Sequence, residues 1–90
     1  MKKRQWFIFQ VFDGGQDLLD QPIWHWEVTL QYHTKAEVFK TYNRYRGHRK
    51  VREVFTLRQF VEAVGIKTAQ RVLEDNRGRI LADKERYSEQ

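Results

Sequence analysis

The longest alternation of apolar and polar positions runs from Ile23 to His33. Trp24, Trp26, Val28, Leu30 and Tyr32 share one side, and His25, Glu27, Thr29, Gln31 and His33 share the other. A period of two over that length predicts a half-buried antiparallel strand, and Pro22 suits the position just before it. Upstream, Gln5–Phe12 (QWFIFQVF) is aromatic and β-branched and predicts a second strand. Its two sides are both apolar, Trp6, Ile8 and Phe12 against Phe7, Phe9 and Val11, so burial on both sides is expected, or one face reserved for a partner. Asp13-Gly14-Gly15 breaks this strand. Residues 13–22 are expected to form a long hairpin loop, with Leu18 and Leu19 folded back as an apolar lid.

Beyond residue 33 the period lengthens. Thr34-Lys35-Ala36-Glu37 matches a capping box, and Val38, Tyr42 and Tyr45 follow at helical spacing. These predict a helix over about 35–46, ended by Gly47. Val51–Phe55 is β-prone and a candidate third strand. Thr56-Leu57-Arg58-Gln59 is a second capping box, and Leu57, Phe60, Val61 and Val64 form a stripe that predicts a helix over 57–64. Gly65 sits where a left-handed residue ends a helix, with Ile66 in place to fold back on Val61. Thr68 can cap a third helix over 69–75. Asp75-Asn76-Arg77-Gly78 carries a turn signal, which leaves two readings for 72–81: a small hairpin with a wing-like turn at 75–78, or helix resuming through Tyr87. The fold class expected is α+β, an N-terminal antiparallel hairpin packed on a small helical half. A chain of 90 residues makes one domain, 1–90, with residues 1–4 and 84–90 expected to fray.

Cysteine is absent, which excludes disulfide scaffolds, thiolate metal sites and a cysteine nucleophile. No segment approaches the ~20 apolar residues of a membrane span. Lys2-Lys3-Arg4 before Trp6–Phe12 suggests a signal peptide, but Gln10 and Asp13 interrupt the apolar run and no small-residue cleavage site follows. A cytoplasmic protein without a membrane partner is expected. His25 and His33 lie roughly 27 Å apart along a strand and cannot share a metal. No phosphate-binding glycine loop is present, and the only serine, Ser88, lies in the tail. Neither an enzyme nor a bound cofactor is expected.

Charge redirects attention to binding. Lys and Arg number 17 against 12 Asp and Glu, for a net charge of +5. The window Lys40–Arg52 holds Lys40, Arg44, Arg46, Arg49, Lys50 and Arg52 with no acid. Such clustering repels itself and is relieved by a polyanion. Tyr42 and Tyr45 lie on the apolar stripe of the first helix, so core packing is the plainer role for both.

The stretch 55–81 (FTLRQFVEAVGIKTAQRVLEDNRGRIL) adds a second signal. Phe55-Thr56-Leu57, Gln59, Phe60, Ala63, Gly65-Ile66, Gly78 and Ile80-Leu81 resemble the helix-turn-helix of MerR-type regulators and phage excisionases. Arg71 stands where that family usually has an apolar anchor. The resemblance implies that Lys67, Thr68, Gln70 and Arg71 lie at the exposed start of a recognition helix, where Arg and Gln can contact base edges in the major groove. Arg77 and Arg79 would then flank the wing.

Two functions are expected from these observations. The first is a small regulatory or accessory protein that binds nucleic acid, DNA in preference to RNA. The second is a small phage-type inhibitor or adaptor that docks its basic patch and aromatic sheet on an acidic surface of a larger complex. A homodimer is a candidate state for either, because a domain this small leaves aromatic surface to share.

Overall fold

The computed structural model describes residues 3–44 and 49–87, with backbone alone at Asp13, Arg44 and Arg49. Three strands, β1 (Phe7–Gln16), β2 (Pro22–Thr29) and β3 (Arg49–Thr56), form an antiparallel sheet in the order β2-β1-β3. Helix α1 (Lys35–Arg44) connects β2 to β3. Helices α2 (Leu57–Val64), α3 (Ile66–Asp75) and α4 (Arg77–Tyr87) follow in succession.

The doubly apolar β1 is the central strand, and each of its sides has a core of its own. Phe7, Phe9 and Val11 pack with Val38 and Tyr42 of α1 and with Val51 and Val54 of β3. Ile8, on the other side, packs with Val28 of β2, Phe60 of α2, and Ala69 and Val72 of α3. Helix α1 therefore covers one face and α2–α3 the other, and β1 carries side chains with no solvent exposure on both. Tyr42 meets Phe9 at a centroid distance of 5.0 Å, the core role expected of it.

Several boundaries differ from the local pattern. β1 continues through Gln16 to pair with Pro22, so the hairpin loop shrinks to residues 17–21. β2 ends at Thr29 and not at His33, because the next amide hydrogens leave the sheet. Leu30 N–H donates to Asp83 Oδ2 at 3.0 Å and Gln31 N–H to Thr29 Oγ1 at 3.1 Å. The chain turns there, and Tyr32 joins the α1 core although its alternation places it with the tryptophans. β3 contains a bulge: between the pairs Ile8–Phe55 and Gln10–Arg52, Glu53 and Val54 stand opposite one residue, with Glu53 at φ 51°.

The helix ends follow their caps. Thr56 and Gln59 form the complete reciprocal box at 3.1 and 3.2 Å. At α1 only half the expected box forms: Glu37 N–H donates to Thr34 Oγ1 at 3.1 Å, while Glu37 accepts from His33 N–H at 3.3 Å. The segment 45–46, which the spacing placed in this helix, lies outside the described residues.

Gly65 is the sole residue between α2 and α3. It adopts φ 87°, ψ 161°, a region reserved for glycine and distinct from the left-handed helical well. Its N–H closes α2 on Val61 and its carbonyl starts α3 on Ala69. Ile66 accordingly begins α3 and is 59% exposed. A Cβ at Gly65 would meet nothing within 4 Å, so Gly65→Ala incurs backbone strain alone. We expect it to lower the unfolding free energy by about 1–3 kcal/mol in urea denaturation.

Of the two readings for 72–81, the structure shows helix resuming through Tyr87, and no hairpin or wing forms at 75–78. Asn76 joins α3 directly to α4, and its side chain donates to Val72 O at 2.9 Å and Trp26 O at 3.2 Å. Those two bonds anchor a helix-to-helix joint on the edge of β2, which outweighs the local turn preference of the Asp-Asn-Arg-Gly sequence. Residues 84–87, expected to fray, form the last turn of α4. Arg4 lies over the Tyr87 ring at 4.5 Å and donates to Gln31 O, so it is held as well; residues 1–2 and 88–90, also expected to fray, lie outside the described residues.

Candidate nucleic-acid interface

Helix α3 is anchored by Ala69 and Val72, which are buried three residues apart on one side. That spacing turns Lys67, Gln70 and Arg71 outward, and Thr68 is exposed beside them. Among the described residues none of these four side chains makes a hydrogen bond or ion pair within the chain. The helix is also polarised. Its cations lie in the first two turns, while Glu74 and Asp75 lie in the last. A helix start already favours anions through its free amide hydrogens and dipole, so charge and dipole act together at the Lys67–Arg71 end.

The second group lies on the same side of the sheet, beyond the helices. Cross-strand register aligns Trp24, Phe12 and Lys50 in one row, and Trp26, Gln10 and Arg52 in the next. Arg52 reaches across β1: its Nε donates to Gln10 Oε1 at 2.8 Å, and its guanidinium covers the Trp24 ring at 3.9 Å. Trp24 packs in turn on Phe12 at 5.6 Å. Lys50 and Arg52 are exposed. This strip is a basic surface on an aromatic base, a combination that suits a sugar–phosphate chain or an unstacked base.

The acid-free window is therefore divided by the sheet. Lys50 and Arg52 share the α3 side. Lys40 is exposed on α1, on the opposite layer, and cannot join them in one contact. Arg46 lies outside the described residues, and for Arg44 and Arg49 only the backbone is placed.

Arg77 and Arg79 each face an acid of the chain itself. Arg77 faces Glu74 at 3.7 Å in an exposed pair that contributes little to stability. Arg79 turns back toward the sheet, where Nη1 donates to Glu27 Oε1 at 2.8 Å and Nη2 to Tyr42 Oη at 3.1 Å. Burial alone would lower the Arg79 pKa; the attraction of Tyr42 and Glu27, the Tyr42 hydrogen bond and Asp83 outweigh it, and the net shift is upward. Arg79 is a strut that ties α4 to β2 and α1.

Gln10, Phe12 and Trp24 complete the sheet strip, and the local pattern points to them only indirectly. One signal was available: Gln10 interrupts the apolar side Trp6-Ile8-Phe12, which marks the place where helical cover ends. Beside Asn76 a cleft of about 500 Å³ opens between His25, Trp26, Glu27, Val72, Asp75 and Arg79. Of its two acids, Glu27 is held by Arg79 and lies 3.4 Å from His25. Among the described residues no three His, Asp or Glu side chains are arranged to hold a metal, and no helix is long and apolar enough to cross a membrane. Comparison of the chain with protein-family models, curated proteins and solved structures finds no match.

Proposed function

We propose that this chain is a non-catalytic nucleic-acid-binding protein that takes duplex DNA through the first half of α3. The observation that carries this reading is the set Lys67, Thr68, Gln70 and Arg71, exposed and unpaired on a helix whose opposite side is locked in the core. A major groove admits a helix, and these side chains offer the donors that groove and backbone accept. Lys50 and Arg52 lie on the same side of the sheet and add phosphate contacts. The single-residue link at Gly65 is shorter than the usual three- to four-residue turn of a helix-turn-helix. Here the sheet beneath Phe60 and Val72 orients the second helix.

The test is binding of the purified chain to a labelled random duplex, a single strand and an RNA hairpin, at low and physiological salt. Duplex affinity should be micromolar or tighter at low salt, and log K should fall linearly with log salt. Lys67→Ala should weaken all duplexes alike and reduce the salt slope by about 1. Arg71→Ala should also reduce discrimination between sequences. Lys40→Ala, on the opposite layer, should change neither. Absence of binding at low salt would sink the proposal and transfer the basic surface to an acidic protein partner. Equal losses for Lys40→Ala and Arg71→Ala would sink the assignment to α3.

A further inference from the structure

The tip of the β1–β2 hairpin is an apolar projection closed by turn hydrogen bonds. Leu18 is 101% exposed and Leu19 79%, contrary to the folded-back lid that their sequence suggests. Asp17 organises the turn: its Oδ1 accepts from Leu19 N–H at 2.8 Å and Gln21 N–H at 3.0 Å, and its backbone bonds Gln21 O and Asp20 N–H. Asp20 closes the turn at φ 59°. Two adjacent leucines are thus presented to solvent by an ordered turn that gives them nothing to pack on.

The charge around them is opposite to that of the chain. Residues 5–34 contain Asp13, Asp17, Asp20 and Glu27 and no Lys or Arg, whereas the whole chain carries +5. An acidic apolar tip is repelled by phosphate, whether of nucleic acid or of an anionic membrane. It suits an apolar recess with a cation at its rim.

This chain has such a recess. A cleft of about 280 Å³ opens between Trp6, Val28, Leu57, Leu73 and Ile80, with Lys84 beside it. A cavity of about 150 Å³ already takes a benzene-sized guest, so a leucine side chain fits. The tip cannot reach its own cleft. Trp6 precedes β1 and Leu18 follows it, and at about 3.3 Å per residue the ten-residue strand separates them by roughly 33 Å.

We propose that the Leu18–Leu19 tip of one copy inserts into the Trp6–Leu57–Leu73–Ile80 cleft of a second copy, with Lys84 meeting the acids of the tip. Tip and cleft lie at opposite ends of the central strand, so the contact is head-to-tail and leaves a free tip and a free cleft after each addition. The contact is small, so association is weak and reversible. Both outer strand edges are partly occupied by side chains of the chain itself. Asn43 Oδ1 accepts from Val51 N–H at 3.0 Å on β3, and Asn76 and Asp83 occupy the edge of β2.

Sedimentation velocity of the full chain, from about 10 to 500 μM, tests this. The mean sedimentation coefficient should climb with concentration and show no plateau at the dimer. Leu18→Asp with Leu19→Asp should be monomeric throughout. Both positions are exposed, so an unchanged melting temperature will show that the fold is intact. Lys84→Glu should weaken association, and adding Asp20→Lys should restore it. A mixture of the tip variant and the Lys84→Glu, Ile80→Glu variant should stop at a one-to-one dimer, since only one tip and one cleft remain. A monomer at every concentration overturns the proposal and assigns the tip to a different protein. Association that survives loss of both leucines, or that saturates as a symmetric dimer, overturns it equally.

Discussion

Phe60→Ala should lower the unfolding free energy by about 3–5 kcal/mol. A domain of this length has roughly 5–13 kcal/mol in total, so the variant should be partly unfolded at moderate temperature. Phe60 has no solvent exposure and stands where three elements meet. Its ring lies 4.8 Å from Trp26 of β2, edge-on, and 5.8 Å from Phe55 of β3. It also packs with Ala69 and Val72 of α3, so truncation removes the contact that seats the proposed reading helix on the sheet. Urea denaturation measures the loss directly. Phe60→Leu should recover most of the stability because it refills most of the volume. A cost below about 1 kcal/mol for Phe60→Ala would show that α2 and α3 are not held to the sheet through this ring.

Asp83→Ala comes next, with an expected cost of about 2–4 kcal/mol. Asp83 is 7% exposed, and its Oδ2 accepts from Leu30 N–H at 3.0 Å and from Thr29 Oγ1 at 3.4 Å. Thr29 is wholly buried, so the substitution leaves a hydroxyl and an amide hydrogen without their acceptor. The same carboxylate ends β2 and holds α4 against its edge. Its removal should therefore do more than lower stability. Amide exchange should accelerate at Leu30 and along α4, and the bared strand edge should make the variant prone to aggregate. Exchange that speeds up uniformly across the molecule would mean that Asp83 has no local role at this edge.

The two variants also bear on function. Each loosens a helix that the proposal needs or borders, without touching Lys67 or Arg71. Under conditions where Asp83→Ala remains folded, its duplex affinity should match that of the parent chain, because α4 carries none of the proposed contacts. Loss of binding there would extend the nucleic-acid surface to α4.

Much of the architecture was legible in the order of residues. Aromatic and β-branched content located β1 and alternation β2, the Thr56–Gln59 box and the Leu57–Val64 stripe delimited α2, and Gly65 separated it from α3. Apolar residues on both sides of β1 implied burial on both sides or a face reserved for a partner, and the packing shows the first. These are local signals: a period, a cap or a glycine reports what a few neighbouring residues do with their own backbone.

The tertiary structure decided everything that depends on residues far apart in the chain. Lys40 and Arg52 belong to one acid-free run, yet the sheet lies between them, because α1 crosses to the face that Phe7, Phe9 and Val11 present. Arg79 looked like a wing cation and became a strut, because Glu27, 52 residues away, stands within 2.8 Å of it. The turn signal at 75–78 yielded to Asn76, whose side chain is bonded to Trp26 across the β2 edge. Leu18 and Leu19 read as a lid and stand in solvent, because the Asp17 turn aims them beyond the last strand pair. Periodicity says which side of an element is apolar. Only packing determines what covers that side, and therefore which charges and which leucines are left to meet another molecule.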